Sequence, residues 1–99
     1  MTNDEYLMLG ITYNVVSGEF KIEGDIKPEC YIDIIDSFLS TQVGAGEDTR
    51  KAKEQDVYHV AIKWYPSDDR FVACSDTGNK GIRDGILLDV AKRLIRKAS

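Results

Sequence analysis

The chain has 99 residues, of which 42% are hydrophobic and 30% are charged. This length fits one domain spanning residues 1–99, and the composition is typical of a folded globular protein rather than a disordered one. With 17 acidic against 13 basic residues the formal net charge is −4, which disfavours nucleic acid as a partner because its binders usually present a basic surface.

Signals for targeting and for cofactors are lacking in the sequence. The opening residues, MTNDEY, have neither a basic n-region nor an apolar h-region, so we expect no signal peptide. No apolar run approaches the length of a membrane span, and we predict a cytoplasmic protein with reduced thiols. Cys30 and Cys74 form no C-x-x-C motif and have no histidine at ligand spacing, so we expect no metal, no other cofactor and no disulfide between them.

The first segment, residues 6–26, has a Ser17–Gly18 dipeptide between two stretches of alternating apolar and polar residues. Such a dipeptide predicts a tight hairpin turn. With Val16 and Glu19 flanking the turn, paired residue numbers sum to 35, and a one-residue slip would bring charge into the core. The predicted apolar-face pairs are Val15–Phe20, Tyr13–Ile22, Ile11–Gly24 and Leu9–Ile26.

A helix is predicted to start near Pro28, because proline is tolerated in a first turn, where its missing N–H costs nothing. Gly44 is expected to end this helix. The segment that follows, residues 44–55, is charged and opens with glycine, which is typical of a loop. The apolar stripe of the predicted helix is Tyr31, Ile34, Ile35, Phe38, Leu39 and Val43.

A second hairpin is predicted over residues 57–76. Residues 66–69, Pro-Ser-Asp-Asp, have turn chemistry, and a four-residue loop sets Trp64 opposite Phe71, so that paired numbers sum to 135. The other predicted pairs are Ile62–Ala73 and Val60–Ser75 on the apolar face, and Lys63–Val72, Ala61–Cys74 and His59–Asp76 on the opposite face.

The last predicted helix follows a loop over residues 77–81, with Asn79 as its N-cap. The basic residues near the chain's end suit the negative end of a helix dipole better than they suit a nucleic-acid patch. The predicted stripe of this helix is Ile82, Ile86, Leu87, Val90, Ala91, Leu94 and Ile95.

These elements predict an α+β fold in the order ββαββα. The economical arrangement is a two-layer sandwich, with a four-stranded antiparallel sheet and both helices on one face. The predicted core is Leu9, Ile11, Tyr13, Val15, Phe20, Ile22, Ile34, Ile35, Phe38, Leu39, Val60, Ile62, Trp64, Phe71, Ile86, Leu87, Val90 and Leu94.

The other face of this sheet is left without helices, and it carries more apolar side chains than a fully hydrated surface needs. Its charges are of both signs, so self-complementary pairing in a two-fold homodimer is feasible. A different protein partner and a merely solvated face are the alternatives. The residues assigned to this interaction face are Met8, Thr12, Val57, His59, Lys63, Val72 and Cys74.

The loop over residues 75–83 offers an alternative, a site for an anion or other small ligand. It joins a strand to a helix N-terminus, where free N–H groups attract anions, but it lacks the spacing of a P-loop or a dinucleotide fingerprint. A turn with an N-cap explains the same residues. The residues of this alternative site are Thr77, Gly78, Asn79, Lys80, Gly81 and Arg83.

His59, the only histidine, supports a second alternative, a small enzyme. Asp76 opposite it could orient the imidazole of a general base, with Cys74 diagonally placed. A flat sheet face excludes water poorly, however, and catalysis favours a pocket. The patterns therefore favour a small acidic, non-catalytic interaction or regulatory domain that acts through the open sheet face or a sheet edge.

Overall fold

A computed structural model describes residues 5–41, 55–77 and 79–98. Its elements follow the predicted order ββαββα, and a single 3₁₀ turn, Pro28–Cys30, leads into the first helix. The element bounds are β1 (Leu7–Asn14), β2 (Phe20–Gly24), α1 (Tyr31–Thr41), β3 (Val57–Tyr65), β4 (Arg70–Ser75) and α2 (Lys80–Ala98).

The four strands form one antiparallel sheet in the order β2-β1-β3-β4. Strands β1 and β3 are therefore central, and β2 and β4 are the two edges. Both helices cover one face of the sheet, which confirms the predicted two-layer α+β architecture. The opposite face has no helix over it among the described residues.

The core lies between the sheet and the two helices, where the strand alternation and the helix stripes predicted it. Leu9 and Ile62 from the central strands, Ile35 from α1, and Leu87 and Val90 from α2 are fully buried. Most other predicted core residues are buried or packed partly buried against this cluster, and Ile26 and Tyr58 join them. Two apolar residues that were predicted to face the core, Val15 and Ile95, are exposed instead.

The register of the first hairpin differs from the prediction by two residues. Ile11 pairs with Ile22 and Tyr13 with Phe20, so paired numbers sum to 33 and the loop has four residues, 15–18. The Asn14 side-chain oxygen accepts the backbone N–H groups of Val16, at 2.9 Å, and of Ser17, at 3.0 Å.

This turn explains the remaining errors in the same hairpin. Gly18 adopts a φ of 76°, which glycine reaches at no steric cost, and its N–H donates to the Asn14 carbonyl. Val15 lies in the loop, 47% exposed, and Gly24 rather than Ile26 pairs with Leu9. A shift of two residues leaves each strand residue on its predicted face, because the side-chain period is two.

The second hairpin has the predicted register. Trp64 pairs with Phe71 and Ile62 with Ala73 on the helix-covered face, and Ala61 pairs with Cys74 on the open face. The four-residue turn at 66–69 is also confirmed. It contains Asp69 with a φ of 53°, a conformation that aspartate tolerates better than most residues.

The helix ends match the predicted signals in part. Asn79 caps α2, since its side-chain oxygen accepts the N–H of Ile82 at 3.0 Å. Lys80 and Gly81, predicted as loop, belong to the first turn of α2 because the cap fixes the helix start at residue 80. The predicted end of the first helix, Val43 and Gly44, lies outside the described residues.

Cys30 and Cys74 are free, as predicted. Cys30 lies in the 3₁₀ turn before α1, whereas Cys74 lies in β4 and faces away from the helices. The sheet therefore separates the two thiols.

Candidate functional site

The open face of the sheet consists of parallel rows of side chains that run across the strands. Four of these rows, in order along the strands, form the candidate site. They are the aromatic row (Tyr6, Tyr65, Arg70), the ridge (Met8, Lys63, Val72), the trough floor (Gly10, Ala61, Cys74) and the polar row (Thr12, His59, Asp76). The registers of the β1–β3 and β3–β4 pairs align one residue from each of these three strands in the two middle rows, and Tyr6 and Asp76 extend the outer rows one residue beyond β1 and β4.

The trough floor is low because its side chains are small. Gly10 contributes no side chain and Ala61 only a methyl group, so a concavity of about 590 Å³ opens between the ridge and the polar row, with Glu23 of β2 lining its side next to Gly10. A Cβ atom on Gly10 would meet only the Glu23 carbonyl oxygen, at an ordinary contact distance of 3.5 Å. The backbone therefore does not require glycine here, and its effect is to keep the trough open.

The ridge combines apolar bulk with one charge. Met8 is 36% exposed and Val72 38% exposed, although neither lies at a loop tip. The Lys63 ammonium lies 4.9 Å from the centre of the Tyr6 ring, a cation–π distance that holds its aliphatic stem against the face. The ridge thus presents exposed apolar side chains beside the trough.

The aromatic row is held together by ring contacts. Tyr6 and Tyr65 lie with ring centroids 5.5 Å apart, within the range of favourable aromatic pairs. The Arg70 guanidinium stacks 4.2 Å from the Tyr65 ring centre and also approaches the Asp68 carboxylate, at 3.6 Å. Arg70 is therefore positioned at the edge of the open face with its charge toward solvent.

The polar row contains the predicted histidine–aspartate pair. His59 Nδ1 lies 3.0 Å from Asp76 Oδ2, and the His59 backbone N–H donates to Asp76 Oδ1 at 3.0 Å. Partial burial by itself would raise the pKa of Asp76. The hydrogen bonds from the His59 backbone, the His59 ring and the Gln55 amide outweigh that effect and lower its pKa below the ordinary value.

The His59–Asp76 pair has the orientation that a general base would need, but its side chains are exposed to solvent. The His59 side chain is 65% exposed, and ion pairs at that exposure contribute little to stability. Cys74 lines the same trough, so the residues of the enzyme alternative do share one surface. The trough is a broad, open concavity rather than an enclosed pocket, which favours docking of a surface over chemistry on a sequestered substrate.

The structure brings most of the predicted interaction residues together. Met8, Thr12, His59 and Cys74 line the trough, and Lys63 and Val72 complete the ridge. Val57 pairs with Asn14 at the far end of β1, beyond the polar row. Sequence reasoning placed Ala61 on this face but did not assign it to the site, and it left out Gly10, Tyr65 and Arg70, which strand parity and the second-hairpin register place on the open face.

The loop of the anion-site alternative is used mainly for structure. Asn79 caps the helix, and the Arg83 guanidinium pairs with Asp84 at 2.8 Å and lies 5.1 Å from the Phe38 ring centre. The Arg83 side chain is only 13% exposed, so its charge is directed inward. Gly78 lies outside the described residues. Thr77 is buried, and its hydroxyl makes no hydrogen bond within the described part of the chain.

Within 5–41, 55–77 and 79–98, no three His, Cys, Asp or Glu side chains are grouped so that they could hold a metal ion. None of the helices in these ranges has the length and apolar character needed to cross a membrane.

The comparisons with known proteins give no relative to argue from. The chain matches no protein-family model, no curated protein and no solved structure. Function is therefore inferred from the surfaces of the chain itself.

Proposed function

We propose that this chain is a non-catalytic protein-interaction domain that binds a second copy of itself through the open face of its sheet. The observation that carries the proposal is the position of the ridge beside the trough. Both run across strands β1, β3 and β4, and the larger side chains of one row match the small side chains of the next. A surface that contains its own complement is what a two-fold dimer requires.

The proposed dimer axis runs across the strands, in the plane of the interface, midway between ridge and trough floor. Rotation about it stacks each strand on its own counterpart and inserts the ridge of each copy into the trough of the other. Val72 then meets Cys74 of the second copy, Lys63 meets Ala61 and Met8 meets Gly10. Same-face neighbours along a strand lie about 6.6 Å apart, so a displacement of one row is enough to interlock the two copies.

The charges of the outer rows agree with the same axis. It sets the aromatic row against the polar row, so that Arg70 of one copy faces Asp76 of the other, and Tyr65 faces His59. Packed sheets are rotated by about 30° relative to each other, and the length of the arginine side chain accommodates this at the edge strand. We expect these pairs to orient the two copies and speed their association more than they strengthen it.

The size of the face sets the expected affinity. Strands of five to nine residues and a width of four strands give about 450 Å² from each copy, hence about 900 Å² in total. This lies at the lower end of specific interfaces. We therefore expect a reversible dimer whose population depends on concentration.

We place the protein in the cytoplasm, where its two exposed thiols would stay reduced.

Light scattering and sedimentation of the purified chain over a wide concentration range test the proposal. We expect a mass that rises toward that of a dimer. Val72→Glu should reduce the dimer population, because the longer, charged side chain, although it lies next to Lys63 of its own copy, would have to be buried against Cys74 of the second copy. Val16→Glu is the matched control, since Val16 is exposed in the turn of the first hairpin, away from the open face, and the same substitution there should leave the dimer intact.

Two results would contradict the proposal. A monomeric mass at millimolar concentration would exclude self-association and leave a different protein as the partner of the open face. A dimer equally stable in both variants would exclude the open face and move the interface to a sheet edge, where unpaired backbone groups are available.

A further inference from the structure

A second concavity, of about 410 Å³, lies on the other side of the sheet, at the end of the sandwich where α1 begins. We call it the end groove. Its walls come from the first turns of α1 and from the chain leading into that helix. Its apolar lining consists of Leu7, Ile26, Ile34, Trp64 and Phe71.

The end groove exists because the helices do not cover the last apolar row of the sheet. Leu7, Trp64 and Phe71 are aligned in one row on the helix-covered face. Leu7 is nevertheless 37% exposed, and the two aromatic side chains are only partly buried. The 3₁₀ turn that precedes α1 buries none of its own residues; its Cys30 lines the side of the groove.

The groove is preformed around the indole of Trp64. The indole N–H donates to Asp69 Oδ1 at 2.9 Å, which satisfies its only polar group and fixes the ring orientation. Asp69 is held by the turn between β3 and β4. A ligand would therefore contact the apolar face of the indole ring, whose N–H is already hydrogen-bonded to Asp69. Because the ring is already held in place, binding would cost little side-chain entropy.

The rim of the groove is acidic. Among the described residues, exposed carboxylates of Asp25, Asp33 and Asp69 surround the apolar lining, and Lys27 is the one cation that lines it with them. Asp25 accepts the backbone N–H of Met8 at 3.3 Å, which holds its carboxylate at the sheet end. An apolar floor with a rim of net negative charge selects for a ligand with the complementary combination.

We propose that the end groove binds a basic linear segment of a partner protein, in which a bulky apolar residue is flanked by lysine or arginine. The apolar side chain occupies the space over Trp64 and Phe71, and the flanking cations lie against the rim carboxylates. Binding at such a site is favoured by apolar burial, whereas the rim charges set the choice of sequence and the association rate.

This site is independent of the proposed dimer. Leu7 and Trp64 point to the helix-covered side of the sheet, whereas their neighbours Met8 and Lys63 point to the open face, because successive strand residues alternate. A dimer formed through the open face leaves both end grooves accessible. Failure of the dimer would therefore not affect the groove, and failure of the groove would not affect the dimer.

Trp64 is the only tryptophan of the chain, so its fluorescence reports on the groove directly. The probe is an end-blocked pentapeptide with a central leucine between two pairs of lysines. We expect a saturable change in Trp64 fluorescence that weakens as salt is added. A peptide with glycine in place of leucine should bind at least about tenfold more weakly, since it lacks the apolar side chain. A peptide with glutamates in place of the lysines should not bind.

Two matched variants of α1 locate the site. Asp33→Asn removes a rim charge and should weaken binding of the leucine peptide by about two- to fivefold. Asp36→Asn removes an exposed charge from the same helix outside the groove and should leave binding unchanged. Amide NMR shifts should cluster around Trp64, Phe71 and Ile34.

Three results would overturn the proposal. The first is the absence of saturable binding up to about 10 mM peptide, a weaker affinity than any docking segment needs. The second is equal binding of the lysine and glutamate peptides. The third is binding that does not localise to the groove, seen either as an equal effect of Asp33→Asn and Asp36→Asn or as NMR shifts that map to the open face.

Discussion

A single phenol ties the first hairpin to the last helix. The Tyr13 hydroxyl donates to Asp89 Oδ2 at 2.5 Å, and Arg93, one turn further along α2, pairs with the same carboxylate at 2.9 Å. The Arg93 guanidinium also donates to the Gly18 carbonyl in the hairpin turn. The hydrogen bond to Asp89 raises the pKa of Tyr13, with burial and the negative charge of Asp89 adding to it and Arg93 opposing it.

Tyr13→Phe should therefore change how stability depends on alkaline pH. The folded-state pKa of Tyr13 is raised above the ordinary value of 10.0, so its contribution is complete below pH 10 and is lost as the pH rises through the folded-state pKa. At pH 7 we expect the variant to lose about 1 kcal/mol of unfolding free energy. Urea unfolding between pH 7 and pH 11 should show this difference shrinking above pH 10, and a difference independent of pH would contradict the assignment.

At the scale of elements, two glycines show how strand and helix backbones differ in what they tolerate. Gly24, at the end of β2, has a φ of 133°, and a Cβ atom there would lie 2.1 Å from the Met8 carbonyl oxygen. Gly85, inside α2, has nothing within 4 Å of the same added atom. The first glycine is required by the approach of β1, and the second only costs the helix conformational entropy.

The same substitution should consequently have opposite effects at these two positions. Gly24→Ala should lower the unfolding free energy by about 1–3 kcal/mol or more, because a strained backbone or a displaced β1 must accommodate the methyl group. Gly85→Ala should raise it by about 0.5–1 kcal/mol. Chemical denaturation of both variants checks the prediction, and a Gly24→Ala chain as stable as the unaltered one would mean that the end of β2 is conformationally free.

Across the whole molecule, stability depends on one core shared by all the elements. Ile62, on central strand β3, is fully buried at the centre of that core. Ile62→Ala should cost about 2–5 kcal/mol, since the cavity it leaves has helices on one side and strands on the other. This is a large part of what a domain of this size has in total.

Val16→Ala, a truncation at the exposed turn of the first hairpin, is the comparison for Ile62→Ala. It should change the unfolding free energy by no more than about 0.5 kcal/mol. Thermal and urea unfolding of the two variants measure the difference. Similar losses in both would show that the first hairpin turn, rather than the core, limits stability.

The local sequence pattern was enough to determine the order of the elements and the face on which each strand residue lies. Alternation with a period of two separates the faces of a strand without reference to its neighbours, and the 66–69 turn adds the register of the second hairpin. Cap chemistry likewise identified Asn79. These features depend on residues close together in the chain, so a single sequence contains the information needed to predict them.

Only the tertiary structure decided the first hairpin register and the shape of both candidate sites. The Ser17–Gly18 pair suits a two-residue turn, but the Asn14 side chain stabilises a four-residue loop whose Val15 N–H pairs with Asp56, far along the chain. The trough arises where Gly10 and Ala61, distant in sequence, come side by side. Trp64 was predicted to lie in the core, yet it is only partly buried and lines a groove, because the helix layer does not extend over its row. How far the helices extend over the sheet is set by packing between elements, and the sequence pattern within one element does not determine it.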